Sequence, residues 1–370
     1  MKRTMFFLAT AAIFVGCSQT DVFNEVPEAP IGFTKAYVEK NTRAAFNSTS
    51  DFEFNGSTFG VFGFRTKNSN TEKVFGERSG ETNGVEVTCT NNGTDPATWG
   101  YTTTRYWDRN ATSYSFYAYA PFVDDWGTGN SGASVTIPSS NDPTGFKISA
   151  FTQASTPANM IDLLKDFTSQ STNNSFTNTV DFDFVHILSS INLKMAVGAS
   201  LKADATNNPV TVVSVSINGI QMNSNEYKFT TGNPGSWGWT MNATPSTANF
   251  NATQKTVNQG QANEANVVFG SNELAADAYS TVPGLSDLLF IPQVVPDSYT
   301  ITVQYKIGEI VYDAVIKLND FEDNSQNALT TWVPGYRYTY QLIIGPDPIV
   351  FGVVDNSLGW TDATYTYTIE

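Results

Sequence analysis

The chain has 370 residues, only 15% of them charged, and a net charge of −15. Ordinary globular chains carry about 25% charged residues. An acidic surface with no basic cluster repels phosphates and anionic head groups, which excludes nucleic acid as a partner and leaves any membrane attachment to something other than electrostatics.

Lys2 and Arg3 precede a short apolar run, Met5–Val15. Eleven residues fall short of the about 20 that a helix needs to span a bilayer, so this reads as a secretory signal. It ends in Phe14-Val15-Gly16-Cys17, which resembles a bacterial lipobox, although Phe14 stands where an aliphatic residue is usual. Residues 1–16 are then the signal peptide and Cys17 the lipidated residue; the other reading is an ordinary cleaved signal. The only other cysteine, Cys89, lies in "VEVTCT" and reads as a small strand residue, so no disulfide is expected and stability must come from core burial.

Downstream, short runs alternate apolar and polar residues with period two, separated by Gly, Asn, Asp and Pro. They include the first strand Ile31–Lys40 "IGFTKAYVEK", then "TFGVFGFR" (Thr58–Arg65), "YSFYAY" (Tyr114–Tyr119), "VTVVSVSI" (Val210–Ile217), "TITVQYKI" (Thr300–Ile307) and "YRYTYQLII" (Tyr336–Ile344). In the last, Tyr336, Tyr338, Tyr340, Leu342 and Ile344 share a face. At the end of the chain Ile349, Phe351 and Val353 alternate before a turn at Asp355–Gly359, and Tyr365, Tyr367 and Ile369 after it. Met160–Phe167 "MIDLLKDF" is expected to form two helical turns. The polar stretch Thr168–Thr179 is expected to be an inter-domain joint, and Thr244–Ala265 a long loop. The spacing predicts an all-β protein of two tandem β-sandwiches, residues 44–179 and 180–370.

Catalytic signatures are weak. The single histidine, His186 in "DFVHIL", rules out a metal site built on several histidines and reads as a hydrogen-bonded core or rim residue. No Gly-x-Ser-x-Gly elbow is present. Asp124, Asp125, Asp181, Asp183 and the acidic Asp320–Asp323 fall in turns or at strand ends, and Asn319–Asn327 lacks the offsets of a calcium loop. Neither a cofactor nor a metal is expected. Trp126, Trp237 and Trp239, beside glycines, allow a glycan-stacking reading, against which large aromatics in a sandwich core are the commoner use.

Taken together, the ending at Cys17, "IGFTKAYVEK" followed by Thr42-Arg43-Ala44, "FGVFGF", Tyr106-Trp107 with "YSFYAYAP", "FDFVHILSSINLKM", "LLFIPQ" and "WVPGYRYTYQLII" resemble the fimbrillin family, the subunits of type V pili in anaerobic gut and oral bacteria. The resemblance spans nearly the whole chain. It implies transthyretin-like sandwiches and an outer-membrane lipoprotein precursor, palmitoylated at Cys17 and then displayed in the cell-surface fimbrium. An arginine-specific protease would cut between Arg43 and Ala44 and remove residues 17–43. Ile31, Phe33 and Tyr37 would be the displaced set, with Lys35 interrupting their face so that a bulge or exposed rim is needed. Tyr365, Tyr367, Ile369, Ile349, Phe351 and Val353 would form the donor strand for the next subunit. The implied partners are other pilus subunits, the protease, the outer membrane through the lipid, and host or bacterial surface glycans or proteins. The alternatives are a monomeric glycan-binding lipoprotein and a non-polymerising tip or anchor subunit.

Overall fold

The computed structural model of the chain describes residues 29–38, 56–90, 98–137, 145–171, 179–198, 201, 210–228, 238–252, 280–323, 328–345, 350–351, 361–363 and 365–366. More than half of the described residues are strand and few are helical, as the period-two alternation requires. The first half contains β1 (Phe33–Val38), β2 (Thr58–Lys67), β3 (Asn70–Phe75), β4 (Val85–Thr90), β5 (Thr98–Gly100), β6 (Ser113–Ala120), β7 (Ser134–Thr136), β8 (Lys147–Ser149), β9 (Leu164–Ser171) and β10 (Val180–His186). Their main sheet runs β3-β2-β4-β5-β1-β10-β9-β6, and β6 pairs again with β2, so seven strands close into a ring with β3 appended. Inside it lie Phe33, Phe59, Val61, Phe75, Val87, Cys89, Phe116, Phe182 and Phe184.

The second half begins with β11 (Ser189–Val197), β12 (Val210–Gln221), β13 (Ser224–Lys228), β14 (Trp239–Met241), β15 (Thr247–Asn251), β16 (Ser280–Thr281) and β17 (Leu288–Phe290). It continues with β18 (Thr300–Ile307), β19 (Ile310–Lys317), β20 (Glu322–Asp323), β21 (Tyr336–Ile344), β22 (Val350–Phe351), β23 (Thr361–Ala363) and β24 (Tyr365–Thr366). One sheet is β15-β12-β18-β19. A second is built on β11 and β21, which run parallel along their whole length. Tyr338, Tyr340, Leu342 and Ile344 are buried between these sheets and Tyr336 packs against them, as their alternation demands.

The two halves are not independent. The outer face of β2 places Phe62 and Phe64, and that of β6 Tyr117 and Tyr119, in the core of the second half. Strand β8 pairs with β13 across the chain. Both faces of β2 and β6 are thus buried, which is why "FGVFGF" and "YSFYAY" read as near-continuous apolar runs.

Four expectations change. Met160–Phe167 is not helical: Leu163 points into one core and Leu164 into the other, which only the alternation of a strand permits, and β9 pairs with β6 throughout. The stretch from Thr168 is therefore not an inter-domain joint, since Thr168–Ser171 lie in β9 and β10 returns beside it. Strand β10, read from sequence as the start of the second sandwich at residue 180, completes the first ring, and the change of sheet falls between His186 and Ser189. Part of Thr244–Ala265, read as loop, forms β15 against β12.

Candidate assembly site at the seam strand

Strand β1 closes the ring. On one side it forms a parallel ladder with β10, Phe33 to Val38 against Val180 to Phe184. On the other it meets β5 at one residue pair, Phe33 opposite Trp99. It is flanked on both sides and is not an edge strand.

Upstream of β1 the chain enters against the Tyr101–Trp107 segment. The Ile31 N–H donates to the Arg105 carbonyl at 2.8 Å and the Trp107 N–H to the Ala29 carbonyl at 2.9 Å. The Tyr101 hydroxyl donates to the Ile31 carbonyl at 2.7 Å. Ile31 is 2% exposed and Phe33 5%. The Phe33 ring stacks on Phe182 and meets Phe59, Phe75 and Tyr101 edge-on, with centroids 5.6–5.8 Å away.

The register shifts between Phe33 and Lys35. This is the irregularity that Lys35 demanded, but it has a second effect. Ala36 and Val38 stand opposite Phe182 and Phe184, which are buried, whereas Tyr37 stands opposite Asp183, which is exposed. The bulge takes Tyr37 out of the register set that Ile31 and Phe33 begin, because one extra residue inverts the two-residue period.

Arg105 is the post behind this entry. Its guanidinium is buried, lies 4.7 Å over the Phe75 ring, and donates to Glu81 and to the carbonyls of Val74 and Thr103. Burial pushes the Glu81 carboxyl up, but the hydrogen bond from Arg105 and those from the Arg78 and Gly76 amides outweigh it and hold it below its ordinary range. Beside it, Glu86 and Asp124 line a cleft of about 540 Å³ together with Tyr101 and Phe122. Here burial and the charges of Asp125 and Asp124 push the Glu86 carboxyl up.

The other element named from sequence is the C-terminal tail. Strand β21 carries on its free side β22, with Phe351 opposite Leu342, and β23, with Thr361–Ala363 parallel to Tyr336–Tyr338. Strand β24 places Tyr365 opposite Asp323 of β20. In this structure the tail thus pairs with its own chain. Cys17, Arg43, Ala44, Ile349, Val353, Tyr367 and Ile369 lie outside the described residues, as does Trp237.

The remaining candidates have structural roles. His186 is buried with its Nδ1 3.0 Å from Asp162. Trp126 is buried and donates to the Pro121 carbonyl. Trp239 donates to the Ile187 carbonyl and packs against Tyr227 and Phe151. Among the described residues no group of three or more His, Cys, Asp and Glu side chains is placed to hold a metal. Sequence reasoning missed Tyr101, Arg105 and Glu81, whose spacing carries no motif.

The fimbrillin-like family model matches residues 42–232 and 212–358. The chain belongs to the fimbrillin-like family. That family consists of structural fimbrial subunits and is non-enzymatic. Fimbrium subunit Fim1C of Phocaeicola vulgatus is similar to this fimbrillin-like chain, 27% identical over 394 residues that cover 98% of it and 97% of the relative. The crystal structure of a fimbrial protein from Bacteroides vulgatus superposes with a TM-score of 0.52 at 18% identity, over 87% of this chain and 98% of that one. At that identity the likeness is one of fold. The family match starts just before Arg43, so β1 lies outside it.

Proposed function

We propose that this fimbrillin-like chain is a structural subunit of a cell-surface pilus. It is exported as a lipoprotein through Cys17, cut after Arg43, and assembled by strand exchange in which the tail of one copy takes the place of β1 in the next. The observation that carries this reading is the position of β1. It is the one strand of the ring that precedes Arg43 and, with the residues just before it, fills the core with Ile31 and Phe33. Its removal opens the ring between β5 and β10 and exposes apolar side chains together with an unpaired strand edge. Water tolerates neither for long, so an incoming strand is favoured.

Reburying two side chains of this size gains roughly 3–6 kcal/mol at about 1.5–3 kcal/mol each, before ordering costs. The rest of the stabilisation has to come from the backbone ladder with β10. The tail suits the donor role because, among the described residues, it pairs with the outer side of β21 and with β20 through short ladders.

The experiment is limited proteolysis of the purified protein with an arginine-specific protease, followed by electron microscopy. The proposal expects a stable core starting at Ala44 and filaments of that core. Arg43→Ala that polymerises as readily as the parent defeats it.

A further inference from the structure

The hydrogen bonds around Ile31 form an incomplete antiparallel ladder. A regular pair would exchange two bonds, Ile31 N–H to the Arg105 carbonyl and Arg105 N–H to the Ile31 carbonyl. The first is present at 2.8 Å. In the second, the Tyr101 hydroxyl stands between the partners: it accepts the Arg105 N–H at 3.2 Å and donates to the Ile31 carbonyl at 2.7 Å. A side-chain hydroxyl therefore does the work of a backbone bond, bridging the Arg105 N–H and the Ile31 carbonyl. The Pro30–Tyr106 bridge and the Trp107 bond to Ala29 continue the ladder on the other side. The same phenol ring packs against Phe33, 5.6 Å away, and against Phe75 at 5.3 Å.

We propose that Tyr101 is a positioning residue that latches the upstream end of the seam, holding Ala29–Gly32 through the Ile31 carbonyl, and that this latch sets how fast the seam segment leaves the ring. The latch acts on a different carbonyl from the β1–β10 ladder, whose first bond is the Val180 N–H donating to the Gly32 carbonyl at 2.8 Å, one residue further on. Cutting the chain after β1 therefore does not release the segment, and cleavage and departure are separate steps. Recognition at the latch is of a backbone carbonyl and not of a side chain, so any strand that enters in the same register can engage it, while the Phe33 site beside it asks for an aromatic ring. Arg105, whose backbone flanks the latch, is itself held through Glu81 and the Val74 and Thr103 carbonyls.

The consequence for exchange during assembly rests on the function proposed above, whereas the latch itself does not, and the test separates them. The variant is Tyr101→Phe, which keeps the ring and its packing and removes only the hydroxyl. The control is Tyr119→Phe, whose hydroxyl donates to the Asn83 carbonyl on the same ring of strands without touching the entry segment. In the intact protein, amide hydrogen exchange at Ile31 and Trp107 is expected to speed up about 5- to 10-fold in Tyr101→Phe, the effect of losing the hydroxyl's bridge between the Arg105 N–H and the Ile31 carbonyl. Exchange at Cys89, which donates to the Ser57 carbonyl elsewhere in the ring, is expected to stay unchanged. Unchanged rates at Ile31 and Trp107, or an equal acceleration in Tyr119→Phe, overturn the latch.

In the second arm the chain is cut with an arginine-specific protease, and loss of the N-terminal fragment ending at Arg43 is timed by size exclusion and mass spectrometry. Tyr101→Phe is expected to lose it several-fold sooner than the parent, and equal release times overturn the proposal. If the amide and release results hold but no second copy ever enters the opened ring, the latch stands and the pilus reading fails.

Discussion

Gly60 shows how single residues set the local geometry. A Cβ there would lie 2.2 Å from the Tyr119 ring on the neighbouring strand, so the aromatic packs directly on backbone. Gly60→Ala is expected to cost about 1–3 kcal/mol by overpacking, read as a lower denaturation midpoint at unchanged slope. Phe33→Ala should cost about 3–5 kcal/mol in the same assay, since it empties a site lined by Phe59, Phe75, Tyr101 and Phe182. The two carboxylates beside the seam predict opposite pH behaviour. Glu81 is held below its ordinary range, so its contribution is present above the unfolded pKa and is lost as pH falls through the folded one. Glu86 is pushed up, so stability is lost as pH rises from the ordinary carboxylate range through its raised value. Thermal melts across pH 3–7 are expected to show Glu81→Gln flattening the acid limb. Glu86→Gln should gain relative to the parent on the neutral side.

At the scale of elements, the tail is the part that can leave without dismantling the core. Strand β23 covers three residues of β21, and β24 pairs two of β20. Deleting Thr361–Glu370 is therefore expected to leave a folded protein with an unchanged near-ultraviolet spectrum that no longer elongates. Filaments of normal length from the deleted chain would show that the donor lies elsewhere. Strands were legible in sequence wherever one face is buried, as in Thr300–Ile307, because strict alternation then survives. Legibility failed at β9, where "DLLK" presents neighbouring leucines to two different cores and so imitates a helix. It failed again at Tyr37, because a bulge inverts the period and leaves no mark in the sequence beyond a lysine on an apolar face.

For the whole molecule, the proposed head-to-tail contact between a slot at one place and a tail at another builds an open fibre when its rotation does not close into a ring. The whole chain has a net charge of −15 and cleavage after Arg43 leaves it acidic, so copies repel one another as they approach. Assembly of the cleaved protein should accordingly speed up as ionic strength rises from about 0.01 to 0.15 M, where the screening length falls from about 30 to 8 Å. Light scattering follows it, and a rate independent of salt would mean that encounter is not limited by charge.

The sequence by itself determined that the protein is all-β, that its strands alternate where one face is buried, and that both ends of the chain carry strand patterns. Those properties are local, written in alternation and in turn residues within about ten positions. Only the tertiary structure decided that β1 is the seam of a closed ring, that β10 belongs with the first half, and that a tyrosine hydroxyl completes the ladder at Ile31. Each of these depends on strands distant in the chain meeting side by side. Pairing of that kind is chosen by the fit of whole faces, to which no short stretch of residues testifies alone.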